Sequence, residues 1–238
     1  MFKFFKADCY RICKERLGLV TLILLLALSG AAGYAFRDLP VEAVSKTLVS
    51  FLSAFLPLYF VTPGKIFFGE DLAQRTINNS LVKTQSRQVT FWYRWVMSVG
   101  TSLGLVILAY TFSSFVYQVF SGGTIYSQLL TTAFYQLPYY LFAAALPLVF
   151  FNFFDKIYMT NTFYIIYVLM FESLANLLLG NLLRLDADVY TPYLFIKKLS
   201  ETVSSTGDFL NLSSISALIV SMALAGLANI LFLRREFK

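Results

Sequence analysis

The sequence predicts an all-α polytopic membrane protein, a single domain over residues 1–238 that crosses the bilayer six times. The chain is 58% hydrophobic and only 13% charged, so it has more apolar surface than a soluble domain of this size can bury. Its apolar residues form continuous runs rather than alternating ones, which favours helices over a barrel. Each run can cross about 30 Å of hydrocarbon. The predicted spans are 17–36, 48–68, 95–120, 128–151, 157–183 and 212–233.

The segment before the first span, residues 2–16, has a helical apolar stripe. Phe2, Phe5, Cys9, Ile12 and Cys13 fall on one side of a helix, and basic residues lie opposite. Such a helix is expected to lie in the membrane interface with its basic face towards anionic lipid head groups. The alternative is an ordinary basic flank that only sets the orientation of the first span.

Prolines occur inside the second and fourth predicted spans, where they can interrupt regular helix geometry. Pro57 and Pro63 lie in the second span, and Pro138 and Pro147 lie in the fourth. Proline removes a backbone hydrogen bond, so we expect a bend near the inner end of the second span. We expect residues 37–47 to form a loop before that span, and the fourth span to be one helix.

The basic residues predict the orientation of the chain. With both termini inside, 14 of the 19 Lys and Arg residues fall on the cytoplasmic side, as the positive-inside rule requires. The other five are Arg37, Lys46, Arg184, Lys197 and Lys198. The basic charge therefore reflects membrane topology, and no nucleic-acid partner is expected.

The polar segment from Gly69 to Arg94 joins the second and third spans on this basic side. Thr76 can cap a short helix from Ile77 to about Thr84, because its hydroxyl can accept from a free first-turn amide. Ile77 and Leu81, four residues apart, give that helix one apolar face with no obvious partner in the chain. Ser86 can cap the helix that re-enters the membrane. A solvated polar loop is the alternative.

These residues carry a resemblance to ABC-2 type permeases, the membrane subunits of ATP-driven exporters. Glu70, then Thr76-Ile77-Asn78-Asn79, then Ser86-Arg87 are similar to the family's coupling helix, which docks on the ATPase. The chain departs from the pattern at Arg75, where the family usually has Gly, and at Thr84 and Gln85, near the usual Pro. The resemblance implies an ATPase-docking set that comprises Glu70, Arg75, Thr76, Ile77, Asn78, Leu81, Ser86 and Arg87.

The resemblance also implies partners and a location. It implies a bacterial plasma membrane protein, a second permease copy or homologue, and separate ATP-binding cassette subunits that carry ATP and Mg²⁺. The segment at 2–16 resembles the family's elbow helix. Similar small permeases export, or protect against, antimicrobial peptides, so the expected cargo is an antimicrobial or amphipathic peptide or a hydrophobic drug.

The fifth span contains the only strongly acidic group expected within the hydrocarbon. Glu172 lies near its middle, and Asn161 and Asn176 are predicted to share about the same helical face. A charge at this depth costs roughly 3 kcal/mol on insertion scales, so the residue should be neutral, paired or hydrated. Two roles stay open: lining a transport path, or donating a hydrogen bond to a neighbouring helix or protomer. Beyond this span, Thr191 and Pro192 predict the start of a short helix.

The residue inventory excludes several kinds of site. Cys9 and Cys13 are the only cysteines and the chain has no histidine, so a four-ligand zinc site, a haem site or a histidine-based catalytic centre cannot be built. No GxxxxGK[ST] phosphate loop occurs. We therefore expect no catalytic, cofactor or metal site in this chain. A self-sufficient channel or secondary transporter is the main alternative to the permease, and an intramembrane enzyme is a third.

Overall fold

The computed structural model describes residues 8, 10, 12, 15–70, 86–184, 186–202 and 211–234. Over these residues the chain is helical and has no strand. We number the helices in chain order, joining consecutive helical turns of different type where they run on as one rod. They are α1 Arg16–Ala35, α2 Val41–Gly69, α3 Arg87–Ser121, α4 Tyr126–Tyr135, α5 Leu137–Phe153, α6 Ile157–Leu182, α7 Ala187–Tyr190, α8 Phe195–Glu201 and α9 Leu212–Arg234.

Five of these helices, α1, α2, α3, α6 and α9, are long and apolar enough to cross a membrane. The bent pair α4 and α5 makes a sixth if it counts as one span. The all-helical fold class is thereby confirmed over the described residues, and the long apolar helices are compatible with a multi-pass membrane protein. The first, fifth and sixth predicted spans agree with α1, α6 and α9 to within one residue at either end.

Contacts between helix ends divide the bundle into two sides. On one side the rings of Phe68, Phe91 and Phe232 meet, which joins the end of α2, the start of α3 and the end of α9. We call this the loop side, because the 70–86 segment leaves from it. On the opposite side the Tyr117 hydroxyl donates to Leu39 O at 3.2 Å, next to the end of α3 and the start of α2. We call that the short-helix side, because α7 and α8 lie there.

The second span differs from its prediction at its start. The helix begins at Val41, directly after Pro40, rather than at residue 48. Its first turns are amphipathic: Val44 and Leu48 are buried while Lys46 is exposed. A search for unbroken apolar runs misses such turns, because only one face is apolar. Residues 41–47 are therefore helix and not loop.

Helix α2 changes helix type near its prolines, while the bend predicted there stays a prediction. Pro57 lies in a 3₁₀ turn over Leu56–Phe60, and the helix ends in a π turn over Lys65–Gly69. Turns of this kind shift backbone hydrogen bonds away from the regular α pattern. The end of α2 on the loop side also lies close to α5, since a Cβ on Gly69 would lie 2.7 Å from Phe151 Cε1.

The fourth predicted span is wrong as a single helix. It divides at Gln136 into α4 and α5, whose axes differ by 61°. Pro138 occupies the first turn of α5, where it has no N–H to donate back into α4. The break exposes no polar group to lipid, because Gln136 is completely buried and bonded within the protein.

The tightest helix contacts place α5 against α9 and α1 against α3. In the second pair a Cβ on Gly33 would lie 2.5 Å from the backbone oxygen of Ser113, so only glycine permits this approach. The core between the helices is rich in buried aromatic residues. Its largest fully buried side chains include Tyr110, Tyr117, Tyr139, Tyr140, Tyr164, Phe60, Phe68, Phe91 and Phe232.

Helix α6 is the least covered of the spanning helices. It contains π turns at Tyr167–Phe171 and Leu178–Leu182, on either side of a short α-helical piece that starts at Glu172. Because its outward side chains are large and apolar, that face suits contact with lipid tails. The exposed set includes Phe163, Ile166, Leu169, Leu174, Leu177 and Leu182.

The segment after α6 differs in detail from its prediction. Thr191 and Pro192 form a 3₁₀ turn over Thr191–Tyr193, and the helix proper, α8, starts at Phe195. Thr191 does not cap it, since its hydroxyl donates backwards to Ala187 O at 2.8 Å. The amides at the start of α8 are bound instead by a side chain from α6, which is described below.

Candidate functional site

The predicted docking set lies only partly within the described residues. Glu70 ends α2, and Ser86 and Arg87 begin α3, so these three residues form the two stems of the 70–86 loop. The other members, Arg75, Thr76, Ile77, Asn78 and Leu81, lie outside the described residues. Their coupling helix stays a prediction.

The stem residues make specific contacts on the loop side. Ser86 Oγ accepts from the Val89 amide at 3.3 Å, which confirms the predicted cap of α3. Arg87 Nη1 donates to Leu233 O at 3.3 Å, in the last turn of α9, where a cation is favoured by the helix dipole. Glu70 Oε1 lies 3.5 Å from Lys65 Nζ. Each stem is thus fixed by a polar contact.

A buried arginine joins the two stems to each other. Arg94 of α3 is buried, and its Nη1 donates to Phe67 O at 3.0 Å, inside the π turn that ends α2. In the sequence Arg94 ends the polar loop segment, and its contact with the Phe67 carbonyl was not predicted. The available signal was the spacing from Phe91: the two residues are three apart, so they lie on the same face of the helix. The loop therefore starts and ends at helix ends that are bonded to each other, the end of α2 and the start of α3, which we call the base of the loop.

The N-terminal segment contacts the same base. Asp8 Oδ2 accepts from the Tyr93 hydroxyl at 2.7 Å, and Ile12 packs on the core. Most of residues 2–16 lie outside the described residues, so the elbow helix stays a prediction. The start of α1 is also tied to α2, through a hydrogen bond of 2.9 Å between the Thr21 and Thr62 hydroxyls.

Glu172 lies on the packed face of α6 and is buried, with 7% of its surface exposed. Its Oε1 accepts from the Ile196 amide and its Oε2 from the Lys197 amide, both at 2.8 Å. Of the two roles left open by the sequence, donation of a hydrogen bond to a neighbouring helix does not fit, because both oxygens act as acceptors. The carboxylate joins α6 to α8 of the same chain, and it takes the place of an N-cap residue for α8.

The other two intramembrane polar candidates behave differently from Glu172. Asn176 lies near it, and its Oδ1 accepts from the Tyr190 hydroxyl at 3.1 Å. Gly180 permits that approach, since a Cβ there would lie 2.6 Å from Tyr190 Oη. Asn161 lies near the other end of α6, and its buried Oδ1 has no hydrogen-bond partner within the part of the chain described. The structure thus brings Glu172 and Asn176 together but leaves Asn161 apart.

Gln136, which the sequence analysis did not single out, is the centre of a buried polar network. Its Oε1 accepts from Tyr110 Oη at 2.7 Å, and the two hydrogens of its Nε2 are shared among three acceptors: Ser53 Oγ at 3.0 Å, Thr202 O at 3.1 Å and Leu199 O. Because Tyr110 has a single hydroxyl proton, Tyr140 at 3.0 Å and Ser53 at 3.1 Å must donate to its oxygen. The available signal was a glutamine two residues before Pro138 inside an apolar run.

Together, Glu172 and Gln136 hold both ends of α8. Glu172 binds two amides at its start, and Gln136 binds the carbonyls of Leu199 and Thr202 at its end. The first and last turns of a helix leave backbone groups without intrahelical partners, and in a membrane such groups must be satisfied by protein. This seven-residue helix is therefore fixed across the short-helix side by side chains from α6 and the α4–α5 break.

No group of acidic, cysteine or histidine residues that could hold a metal ion occurs among the described residues. Comparison with models of known protein families and with curated protein sequences found no match.

Proposed function

We propose that this chain is the membrane-spanning permease subunit of an ATP-driven exporter, and that a separate ATPase docks on its 70–87 loop. The proposal starts from the resemblance of Glu70, Thr76-Ile77-Asn78-Asn79 and Ser86-Arg87 to the ABC-2 coupling segment. The multi-pass helical fold and the lack of a phosphate loop in the sequence are consistent with it. By the positive-inside rule the loop side is the cytoplasmic side.

The observation that carries the proposal is the anchoring of both loop stems. Arg94 binds the Phe67 carbonyl, and Arg87 binds the last turn of α9. The rings of Phe68, Phe91 and Phe232 fill the space between these helices. A force applied to the loop would therefore reach α2, α3 and α9 together, because packed interiors move as rigid bodies and deform little.

The same base supports a role for the N-terminal segment and for α5. Asp8 contacts Tyr93 near the start of α3, and Phe151 of α5 packs against Gly69. In this proposal the ATPase acts on the loop, and the inner ends of the spans respond as one unit. A dimer of permeases with two ATPase subunits would complete the exporter, whose cargo is an amphipathic peptide or a hydrophobic drug.

The first test is to change the apolar face of the predicted coupling helix. The double variant Ile77→Asp, Leu81→Asp should insert normally into the membrane but lose copurification with the ATPase, because buried carboxylates at a docking surface are strongly unfavourable. The matched control is Asn79→Asp, Lys83→Asp, which has the same spacing on the predicted opposite face. An ATPase that copurifies equally with both variants would contradict the docking assignment.

A self-sufficient channel or secondary transporter is the alternative. The polar network at Ser53, Tyr110, Gln136 and Tyr140 is the observation that bears on it. These groups satisfy one another, so the network suits a role in fixing the bundle more than a role in conduction. Flux through liposomes that contain the purified chain alone, without ATP, would favour this alternative.

A further inference from the structure

A cavity of about 370 Å³ lies between α6 and α8 on the short-helix side. One part of its wall is apolar and comes from Ala54, Val168 and Leu169. The other part is polar, with Glu172, Ser173, Asn176, Lys197 and Ser200. Leu169 is 53% exposed on the outward face of α6, so the apolar wall continues into the surface that faces lipid tails. The cavity is large enough for a head group of a lipid-like molecule.

Several polar groups of this wall already have hydrogen-bond partners within the protein. Both carboxylate oxygens of Glu172 accept from backbone amides of α8. The amide oxygen of Asn176 accepts from Tyr190. The Ser200 hydroxyl donates to the Lys197 carbonyl at 2.8 Å. Each Glu172 oxygen thus already accepts one hydrogen bond, and the charge of the carboxylate is partly offset by the two amides at the start of α8.

What remains available is a set of donors. The Lys197 ammonium, the Ser173 hydroxyl and the amide nitrogen of Asn176 make no hydrogen bond or ion pair to any described residue. Lys197 is exposed, and its charge is the one cation on the described lining of this cavity. Three donors of this kind, one of them cationic, match the oxygens of an anion such as a phosphate or a carboxylate.

We propose that the cavity between α6 and α8 binds the anionic head group of a membrane phospholipid. Lys197 contacts the head-group oxygens, Ser173 and Asn176 donate to them, and an acyl chain lies along Val168 and Leu169. An exposed cation on a membrane protein attracts anionic lipid even without a shaped site. The donors and the apolar wall add selectivity for a lipid over a soluble anion. This inference does not depend on the ATPase-docking proposal.

The neighbouring lysine provides a matched control. Lys198 Nζ is already bound to Glu201 Oε2 at 2.6 Å and lies on the other side of α8 from this cavity. Lys197→Gln and Lys198→Gln therefore remove the same charge from adjacent positions. A general attraction of the helix for anionic lipid predicts equal effects of the two changes, whereas a site at Lys197 predicts unequal ones.

The test uses the full chain in nanodiscs of phosphatidylcholine with a minor share of phosphatidylglycerol. After gentle release, native mass spectrometry measures the phosphatidylglycerol retained per protein. Lys197→Gln should lower this retention about tenfold, as the loss of one charge-assisted contact predicts. Lys198→Gln should leave it near that of the unchanged protein, and Lys197→Arg should restore most of it.

Two results would overturn the proposal. Equal retention in the Lys197→Gln and Lys198→Gln proteins would show that the lipid is held by general charge and not by this cavity. Inorganic phosphate, added to the protein in phosphatidylcholine alone, should not protect it against heat. Protection by phosphate that is lost in Lys197→Gln would identify a free anion as the ligand and exclude the lipid.

Discussion

Gln136 shows at the scale of one residue how the bundle tolerates polar groups in a membrane. Its amide contacts side chains of α2 and α3 and the backbone of α8, while it occupies the α4–α5 break itself. Every hydroxyl that surrounds it has a partner in the same network. A buried network is stabilising only when its members are satisfied, so the loss of its central residue affects several helices together.

Replacing Gln136 by Leu should therefore destabilise the protein strongly. Thr202 O and Leu199 O lose a donor and Tyr110 loses an acceptor, and each buried group left without a partner costs about 1–3 kcal/mol. We expect the Tm in detergent to fall by about 10 °C or more, because a protein of 238 residues loses about 2–4 °C per kcal/mol; a thermal-shift assay measures the loss.

Gln128→Leu is the matched control. Gln128 lies in α4, and its buried Oε1 has no hydrogen-bond partner among the residues described. The same substitution there should leave the Tm nearly unchanged or raise it, because no hydrogen bond to this oxygen is lost. Similar Tm losses in the two variants would show that the Gln136 network contributes no special stability.

At the scale of elements, α8 depends on side chains that other helices supply. With only seven residues it is too short to be stable alone. Glu172 binds the amides of Ile196 and Lys197, and Phe195 and Leu199 are buried against the bundle. The helix should therefore be the first described element to loosen when Glu172 is changed.

Hydrogen exchange of the peptide that covers residues 195–201 measures this loosening. Glu172→Gln replaces one acceptor oxygen by an NH₂ group that faces a backbone N–H, so exchange at Ile196 and Lys197 should be about tenfold faster. Glu172→Leu removes both acceptors and should accelerate it further. Leu174→Ala, on the exposed face of the same helix, should match the unchanged protein. Unaltered exchange in the Leu variant would refute the proposed cap.

The elements differ in how well the sequence predicts them. Helices α1 and α9 are hydrophobic along their whole length, so their limits follow from the apolar runs. The first turns of α2 escaped prediction because several of their residues, such as Glu42 and Lys46, are polar and exposed, so Val44 and Leu48 on the buried face do not form an unbroken apolar run. The α4–α5 break escaped because Pro138 alone does not divide a helix: Pro147 lies inside α5 without a break. The site at Pro138 differs from that at Pro147 because Gln136 lies beside it, and the hydrogen-bond partners of Gln136 come from distant parts of the chain.

Of the candidate site, the sequence predicts that Glu172 is important but not which groups it binds. The depth and the acidity of Glu172 identified it from sequence, because a carboxylate in an apolar run demands a partner. Its partners did not follow from sequence, since they are backbone amides 24 and 25 residues away. Arg94 was missed for a related reason. Its partner is the Phe67 carbonyl, and a π turn that presents this carbonyl to a side chain has no clear sequence pattern.

At the scale of the whole molecule, the two sides of the bundle are fixed by different means. The loop side is held by the Phe68, Phe91 and Phe232 rings and by Arg94. The short-helix side is held by α8 and the two side chains that bind its ends. The ATPase that we propose would act on the first of these regions.

Crosslinking in native membranes tests the central proposal most directly. A photoreactive amino acid at Ile77 should form a covalent adduct with a separate chain that binds and hydrolyses ATP, whereas the same group at Ser121, on the short-helix side, should not. The purified chain without that partner should hydrolyse no ATP. An Ile77 probe that yields no adduct with an ATPase in membranes where the protein is active in transport would contradict the account.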